Sequence, residues 1–347
     1  MLWAMAAGKR GVIPKERGKM KQKWTNEVDI QGYVFSFGDG SKRGLHKAVT
    51  GPNSKNPGTE YIQGEISIAT DEAATNVVNV YYSYVTKTFP AKNGKPERSN
   101  PIYETLFDIL EENNTYEKHG KEAQKVRISG ELEVNDFYNR DDELVTTKRI
   151  RGGFIHTLPT NATIGKAPKF TLECVLTGCK DKEVENADDY VILSGYAFNF
   201  RNDLLPFEVN VFNEGGQNYF RGLDIDKKNP VATKIWGEII SRTVKMEKTI
   251  ENAFGEPTVE TTERSIRSWT VIGASPETME YGDEDVITNK DMKKLVSERN
   301  ERLAIEKKRQ EDYRANQDSD AFATTAPKGK VTHTSQGDET EDDDFPF

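Results

Sequence analysis

An aromatic ring and an arginine side by side on the outer face of a strand can hold a ligand built of flat bases and phosphates. The ring stacks on a base, and the guanidinium fork pairs with the anion. This chain offers that pairing several times. Strand parity in "NVVNVYYSYV" turns Val78, Val80, Tyr82 and Tyr84 inward and leaves Asn79, Tyr81 and Ser83 outward. In "VRISGELEVNDFYNR" the outward set is Arg127, Ser129, Glu131, Glu133, Asn135 and Phe137, and Tyr138 begins the turn. "TTKRIRGGFI" sends Arg149 and Arg151 out, beside inward Ile150 and Phe154. Further on, the outward sets are Asn210 with Phe212, Trp236 with Arg242, and Arg267 with Trp269. The candidate contacts are therefore Tyr81, Arg127, Phe137, Tyr138, Arg149, Arg151, Phe212, Trp236, Arg242, Arg267 and Trp269. Glu131 and Glu133 dilute the positive charge among them, and Tyr33, Phe35 and Phe37 are assigned to the core.

The totals narrow the class. The chain has 347 residues, of which 35% are hydrophobic and 30% charged, with a formal net charge of −9. No stretch approaches the apolar length of a membrane span. The start, "MLWAMAAGKRGVIPKERGKMKQK", places apolar residues before basic ones, the reverse of a secretory leader, so a cytoplasmic protein is expected. Cys174 and Cys179, spaced C-x4-C, lack the second pair or the histidines of a structural zinc site and are read as free thiols. There is no G-x-x-x-x-G-K-[ST] loop and no H-E-x-x-H. The four histidines, His46, His119, His156 and His333, are scattered, and "NRDDE" sits in a turn. No enzyme, no metal and no cofactor is expected. Charge is uneven: residues 1–23 are basic, a flexible arm that either adds phosphate contacts or only solubilises, while the last ten residues are strongly acidic.

These side chains need strands to position them. From Trp24 to Ser275 the pattern is strand-like, with a helix expected at "PIYETLFDILEEN", where Ile102, Leu106, Ile109 and Leu110 share a face behind Pro101. "LPTNATIGKAPK" (158–169) marks a boundary, after which the pattern restarts. "VRISGELE" is echoed by "TKIWGEII", and Gly195 can be matched either to Gly32 or to Gly64. The Gly64 register is preferred because the extra length of the first module then falls in one region, 86–122. About five strands per module, with a break before the fourth, predict a mainly β chain of two OB-like Greek-key barrels, 24–157 and 170–275; a two-sheet sandwich is the alternative. A charged helix is expected at 286–315, capped by Thr288 with Asp291 in its first turn, and only its first turns can dock. Residues 316–347 should be a disordered linker and acidic tip.

The segment "EDDDFPF" resembles the acidic tip of bacterial and phage single-stranded DNA-binding proteins, in which aspartates precede an apolar residue, Pro and Phe. Phe345 stands where an aliphatic residue is usual. The resemblance implies binding of single-stranded DNA without sequence preference during replication, recombination and repair. It also implies recruitment of partner proteins by Asp342, Asp343, Asp344, Phe345, Pro346 and Phe347. Two modules in one chain, and the charged segment 289–314, depart from that family, which usually carries one module and forms tetramers; a phage or plasmid version, or a tandem lineage, would fit. Two readings from other classes remain open: a non-enzymatic adaptor that displays the tip, and an RNA-binding OB protein.

Overall fold

Alternation builds the strands, but glycines and bulges decide where they close. The computed structural model describes residues 23–38, 43–90, 96–139, 141–183, 189–250 and 258–323. Residues 1–22 of the basic arm and residues 324–347 of the expected linker and tip lie outside them, whereas 316–323, expected to begin the linker, continue the last helix. The first half comprises β1 (Asn26–Ser36), β2 (His46–Val49), β3 (Glu60–Ala69), β4 (Val77–Thr86), the short pair β5 (Thr88–Phe89) and β6 (Arg98–Ser99), helices α1 (Pro101–Glu112) and α2 (Tyr116–His119), and the hairpin β7 (Lys125–Tyr138) with β8 (Leu144–Leu158). The second half comprises β9 (Lys169–Lys182), β10 (Tyr190–Phe198), β11 (Leu204–Val211), α3 (Glu214–Gly222) and the long hairpin β12 (Val231–Ile250) with β13 (Thr258–Ala274), followed by α4 (Asn289–Ala323).

The chain is mainly β, and each half closes into a five-stranded barrel of one topology. In barrel one, β1 pairs antiparallel with β3 and β7, β3 with β4, and β7 with β8, while β4 runs parallel to β8. In barrel two, β9 pairs with β10 and β12, β10 with β11, and β12 with β13, while β11 runs parallel to β13. First strand against second and fourth, third parallel to fifth, helix between third and fourth: this is the OB arrangement, twice. Closure leaves few free edges. An antiparallel pairing of β1 with β9, Asn26 opposite Leu172 through Asp29 opposite Lys169, joins the two barrels. The topology also decides between the repeat registers. Gly64 and Gly195 both lie on second strands, whereas matching Gly32 to Gly195 would set a first strand on a second.

The echo between "VRISGELE" and "TKIWGEII" has a structural cause. Gly130 and Gly237 both lie on fourth strands, each at a register shift against the fifth. A Cβ at Gly130 would sit 2.6 Å from the Arg151 carbonyl oxygen, and one at Gly237 only 2.0 Å from that of Thr270. Each barrel turns its corner where two backbones approach too closely for a side chain.

Three parity assignments are overturned, two of them by the same irregularities. Between Ile128 and Gly130 of β7, partners Ile155 and Gly152 leave an extra residue on β8. The frame shifts by one, and Phe154, expected inward, is 63% exposed. On β4 the frame shifts between the partners of Ile62 and Gly64. Tyr84 there takes a left-handed φ of 51° and turns its ring outward instead of into the core. Trp269, expected outward, is 8% exposed and packs on Phe170 with ring centroids 5.1 Å apart. It stands opposite buried Ile239 and so belongs to the inner face of the β12–β13 hairpin.

Elsewhere the pattern and the core agree. Val126, Ile128 and Leu132 of β7 are fully buried, as are Val80 and Tyr82 of β4. Helix α1 buries Leu106 and Ile109; Asn100 caps its start by accepting from the Ile102 N–H at 3.2 Å, and Asn113 ends it in the left-handed region. At the start of α4 the Thr288 hydroxyl oxygen accepts from the Asp291 N–H (3.2 Å) and the Asp291 carboxylate accepts from the Thr288 N–H (3.1 Å), a capping box. Met292 is buried there, with Leu295 and Val296 packed on the same cluster, which contains Trp24, Phe198 and Ile287. From Arg302 on, α4 belongs to a separate unit, within which Arg309 lies 3.6 Å from Glu306.

Candidate nucleic-acid interface

The β12–β13 hairpin outruns its barrel. Only Val231–Glu238 of β12 pair with β9, and beyond them the hairpin continues as a two-stranded ribbon. The start of that ribbon faces the β3–β4 face of barrel one, and the β7–β8 ribbon of barrel one forms a second wall. Between them lies a groove of about 1030 Å³. Tyr81, Asn79 and Glu65 come from the sheet of barrel one, Phe137, Lys148 and Arg149 from its ribbon, and Ser241, Arg267 and Trp269 from barrel two. Arg43, before β2, completes the lining. The groove thus carries four cations, Arg43, Lys148, Arg149 and Arg267, against one carboxylate, Glu65.

Local contacts fix this geometry. Asn76, in the β3–β4 turn, accepts from the Ser241 N–H at 2.6 Å and donates to the Ile239 carbonyl at 3.2 Å, which sets barrel two's ribbon on barrel one. That turn is organised by Asp71, whose carboxylate accepts from the N–H groups of Ala73, Thr75 and Asn76. Partial burial pushes the Asp71 carboxyl up, but the bonds from Thr75, Asn76 and Ala73 outweigh it and hold the group below the usual carboxylate range. The sign follows: this contribution to stability is fully present above the unfolded value of about 3.9 and is lost as pH falls through the lower folded value. The Asn76 amide proton is therefore expected to lose protection only below about pH 4 in hydrogen exchange; loss of protection at higher pH would show that Asp71 does not organise the turn.

The second wall is anchored from behind. Asp136 accepts from Arg299 at 2.7 Å and from the Thr146 hydroxyl at 2.6 Å, which fixes the stretch carrying Asn135 and Phe137. The Lys148 ammonium donates to the Glu208 carbonyl of barrel two. Arg149 donates to Glu133 at 2.7 Å while its guanidinium lies over the Tyr81 ring, 4.2 Å from the centroid. That is a cation–π stack with one ring face committed to the cation. Arg267 is exposed and has no ion-pair partner among the described residues.

Five of the eleven predicted contacts therefore meet in one groove: Tyr81, Phe137, Arg149, Arg267 and Trp269. The others lie elsewhere. Arg127 donates two hydrogen bonds to Asp29, both at 2.9 Å. Arg151 pairs with Glu131 at 3.2 Å outside the groove. Phe212 packs on Tyr190, centroids 4.8 Å apart. Trp236 is 37% exposed but lays its indole on Gly273, where a Cβ would come within 2.6 Å. Tyr138 and Arg242 stand outside the lining. Sequence reasoning missed Arg43 and Lys148; Lys148 sits beside Arg149 on β8, and simple alternation puts it on the other face.

The YorF family model matches residues 23–311 of the chain. The chain belongs to the YorF family. The match spans both barrels of this YorF protein and the first part of α4. No curated protein matches the sequence. Among solved structures, the YorF chain is similar to the wild-type single-stranded DNA binding protein from Thermus aquaticus, at 12% identity and a TM-score of 0.43, over 75% of this chain and 96% of that one. A deletion mutant of the same protein is similar at 12% identity and a TM-score of 0.42, over 74% and 96%. No helix among the described residues is long and apolar enough to cross a membrane. Among those residues, no three His, Cys, Asp or Glu side chains group to hold a metal.

Proposed function

We propose that this YorF protein binds single-stranded DNA, without sequence preference, in the groove between its two barrels. One observation carries the reading: a single trough joins rings and cations from both barrels, with Arg149 stacked on Tyr81, Phe137 on one wall and Arg267 on the other. Bases would stack on Phe137 and the open face of Tyr81 while phosphates run along Arg43, Arg149 and Arg267. Ring stacking and phosphate contacts do not distinguish one base from another, so readout of particular bases is not expected. Its excess of cations on a chain of net charge −9 makes attraction local.

The acidic segment Asp342–Phe347 is proposed to recruit proteins of replication and recombination, in a bacterial or phage setting. Three aspartates followed by Phe345-Pro346-Phe347 suit an apolar pocket rimmed by basic residues. Titration with oligo-dT tests the first proposal. Tryptophan emission should be quenched, Trp269→Phe should remove most of the quench, and affinity should fall steeply with salt. Absence of quenching together with salt-independent binding would remove the groove as the site. Deletion of 339–347 should tighten binding at low salt; unchanged or weaker binding would count against competition between the acidic segment and DNA.

A further inference from the structure

A second groove, of about 480 Å³, adjoins the first on barrel one and is lined by exposed rings: Tyr84, Phe89, Phe154 and Phe200. Phe154 and Phe200 are 63% and 67% exposed, an expensive way to display phenylalanine unless a planar group covers it. Neither is there by accident of a loose loop. Phe154 is turned out by the extra glycine on β8, and a Cβ at Gly153 would sit 2.7 Å from the Ser129 carbonyl oxygen, so the frame shift is built in. Phe200 sits in a turn where the Asn199 side chain accepts from the N–H groups of Arg201 and Asp203 at 2.8 and 2.9 Å. That turn belongs to barrel two, so this groove, like the first, takes rings from both barrels.

The lining itself is balanced, Arg151 being paired with Glu131, and cations stand at its rim: Arg201 lies 4.9 Å and Arg151 5.9 Å from the Phe200 centroid, and Arg98 lies 5.0 Å from that of Phe89. The two grooves are continuous along one strand face. Arg149 and Arg151 alternate on β8, about 7 Å apart, and their partners Glu133 and Glu131 alternate opposite them on β7. On β4, Tyr81 lines the first groove and Ser83 the second.

We infer that the bound strand continues from the first groove past Arg149 and Arg151 into the second, where bases stack on Phe154 and Phe200. This rests on the reading of the first groove as a DNA site. It makes the second groove a subsite used only by longer strands. The test compares oligo-dT of ~8 and ~30 nucleotides, since one OB unit covers about 4–16. In Phe154→Ala/Phe200→Ala, affinity for the ~30-mer should fall at least tenfold while the ~8-mer stays within twofold. Both side chains are exposed, so thermal unfolding should hardly change, and it is measured alongside. Equal ~30-mer affinity in variant and wild type would overturn the inference. So would a wild-type dimer that the substitutions dissociate with ~30-mer affinity kept, because a second copy would then be the occupant. An unchanged ~8-mer affinity in Arg149→Ala/Arg267→Ala would remove the first groove, and the extension with it; which variant is silent tells the two failures apart.

Discussion

Alanine at both Arg149 and Arg267 will weaken oligo-dT binding at least about 100-fold at low salt. Each arginine is expected to make a charge-assisted bond to a phosphate, worth about 1.5–3 kcal/mol, and each 1.4 kcal/mol is a factor of ten in affinity. The two residues come from different barrels and meet only in the groove, so their effects should combine when one strand touches both. The salt dependence gives an independent signature. With two fewer phosphates neutralised on a single strand, the log–log slope should shrink by about 1.4. Arg127→Ala is the control. Its guanidinium is exposed and committed to Asp29 away from the groove, so the change in affinity should stay within about threefold. Arg149 also closes an ion pair with half-buried Glu133, so the folded state is checked with Glu133→Gln, which breaks the pair and leaves the cation. If Arg127→Ala weakens binding as much as the double substitution does, attraction is diffuse and the groove is not the site.

The barrels were legible because burial on one face imposes period two, and five such runs before and after 158–169 leave little choice of architecture. The capping box at Thr288 and Asp291 was legible because it is local. Long-range and irregular features were not. A bulge shifts the frame by one residue without changing composition, and so Phe154 and Tyr84 read as inward while the structure turns them out. The glycines beside Phe154 were the available signal, since two in a row inside a strand suggest a bulge. Trp269 and Arg267 do share a face, as parity required. That face is core at Trp269 and becomes groove at Arg267, because the hairpin runs past the end of its own barrel. How far a hairpin protrudes, and that Asn76 would catch it across 165 residues, leaves no local trace in the sequence.

Gly237→Ala is expected to be the most damaging single methyl in barrel two, at about 3 kcal/mol, the upper end for overpacking. The new Cβ would meet the Thr270 carbonyl oxygen at 2.0 Å and the Phe170 ring at 2.7 Å. A ring can tilt, but the oxygen belongs to the neighbouring strand and cannot retreat without opening the β12–β13 ladder. The equivalent Gly130→Ala in barrel one should cost less, because its nearest atom, the Arg151 carbonyl oxygen, is 2.6 Å away and the next, an Ile150 methyl, is 3.3 Å away. Gly222→Ala, at the end of α3 with nothing within 4 Å, should be neutral or mildly stabilising. Urea unfolding followed by tryptophan emission separates the three, since Trp269 reports on the Phe170 contact at the affected bulge. A Gly237→Ala midpoint equal to wild type would mean that the strands can pass this corner with a side chain between them. Opening the ladder would also move Arg267 and Trp269, which enter the groove only a few residues beyond Thr270. The substitution should therefore lower DNA affinity even under conditions where the protein remains folded, whereas Gly130→Ala should disturb the Arg149 wall instead.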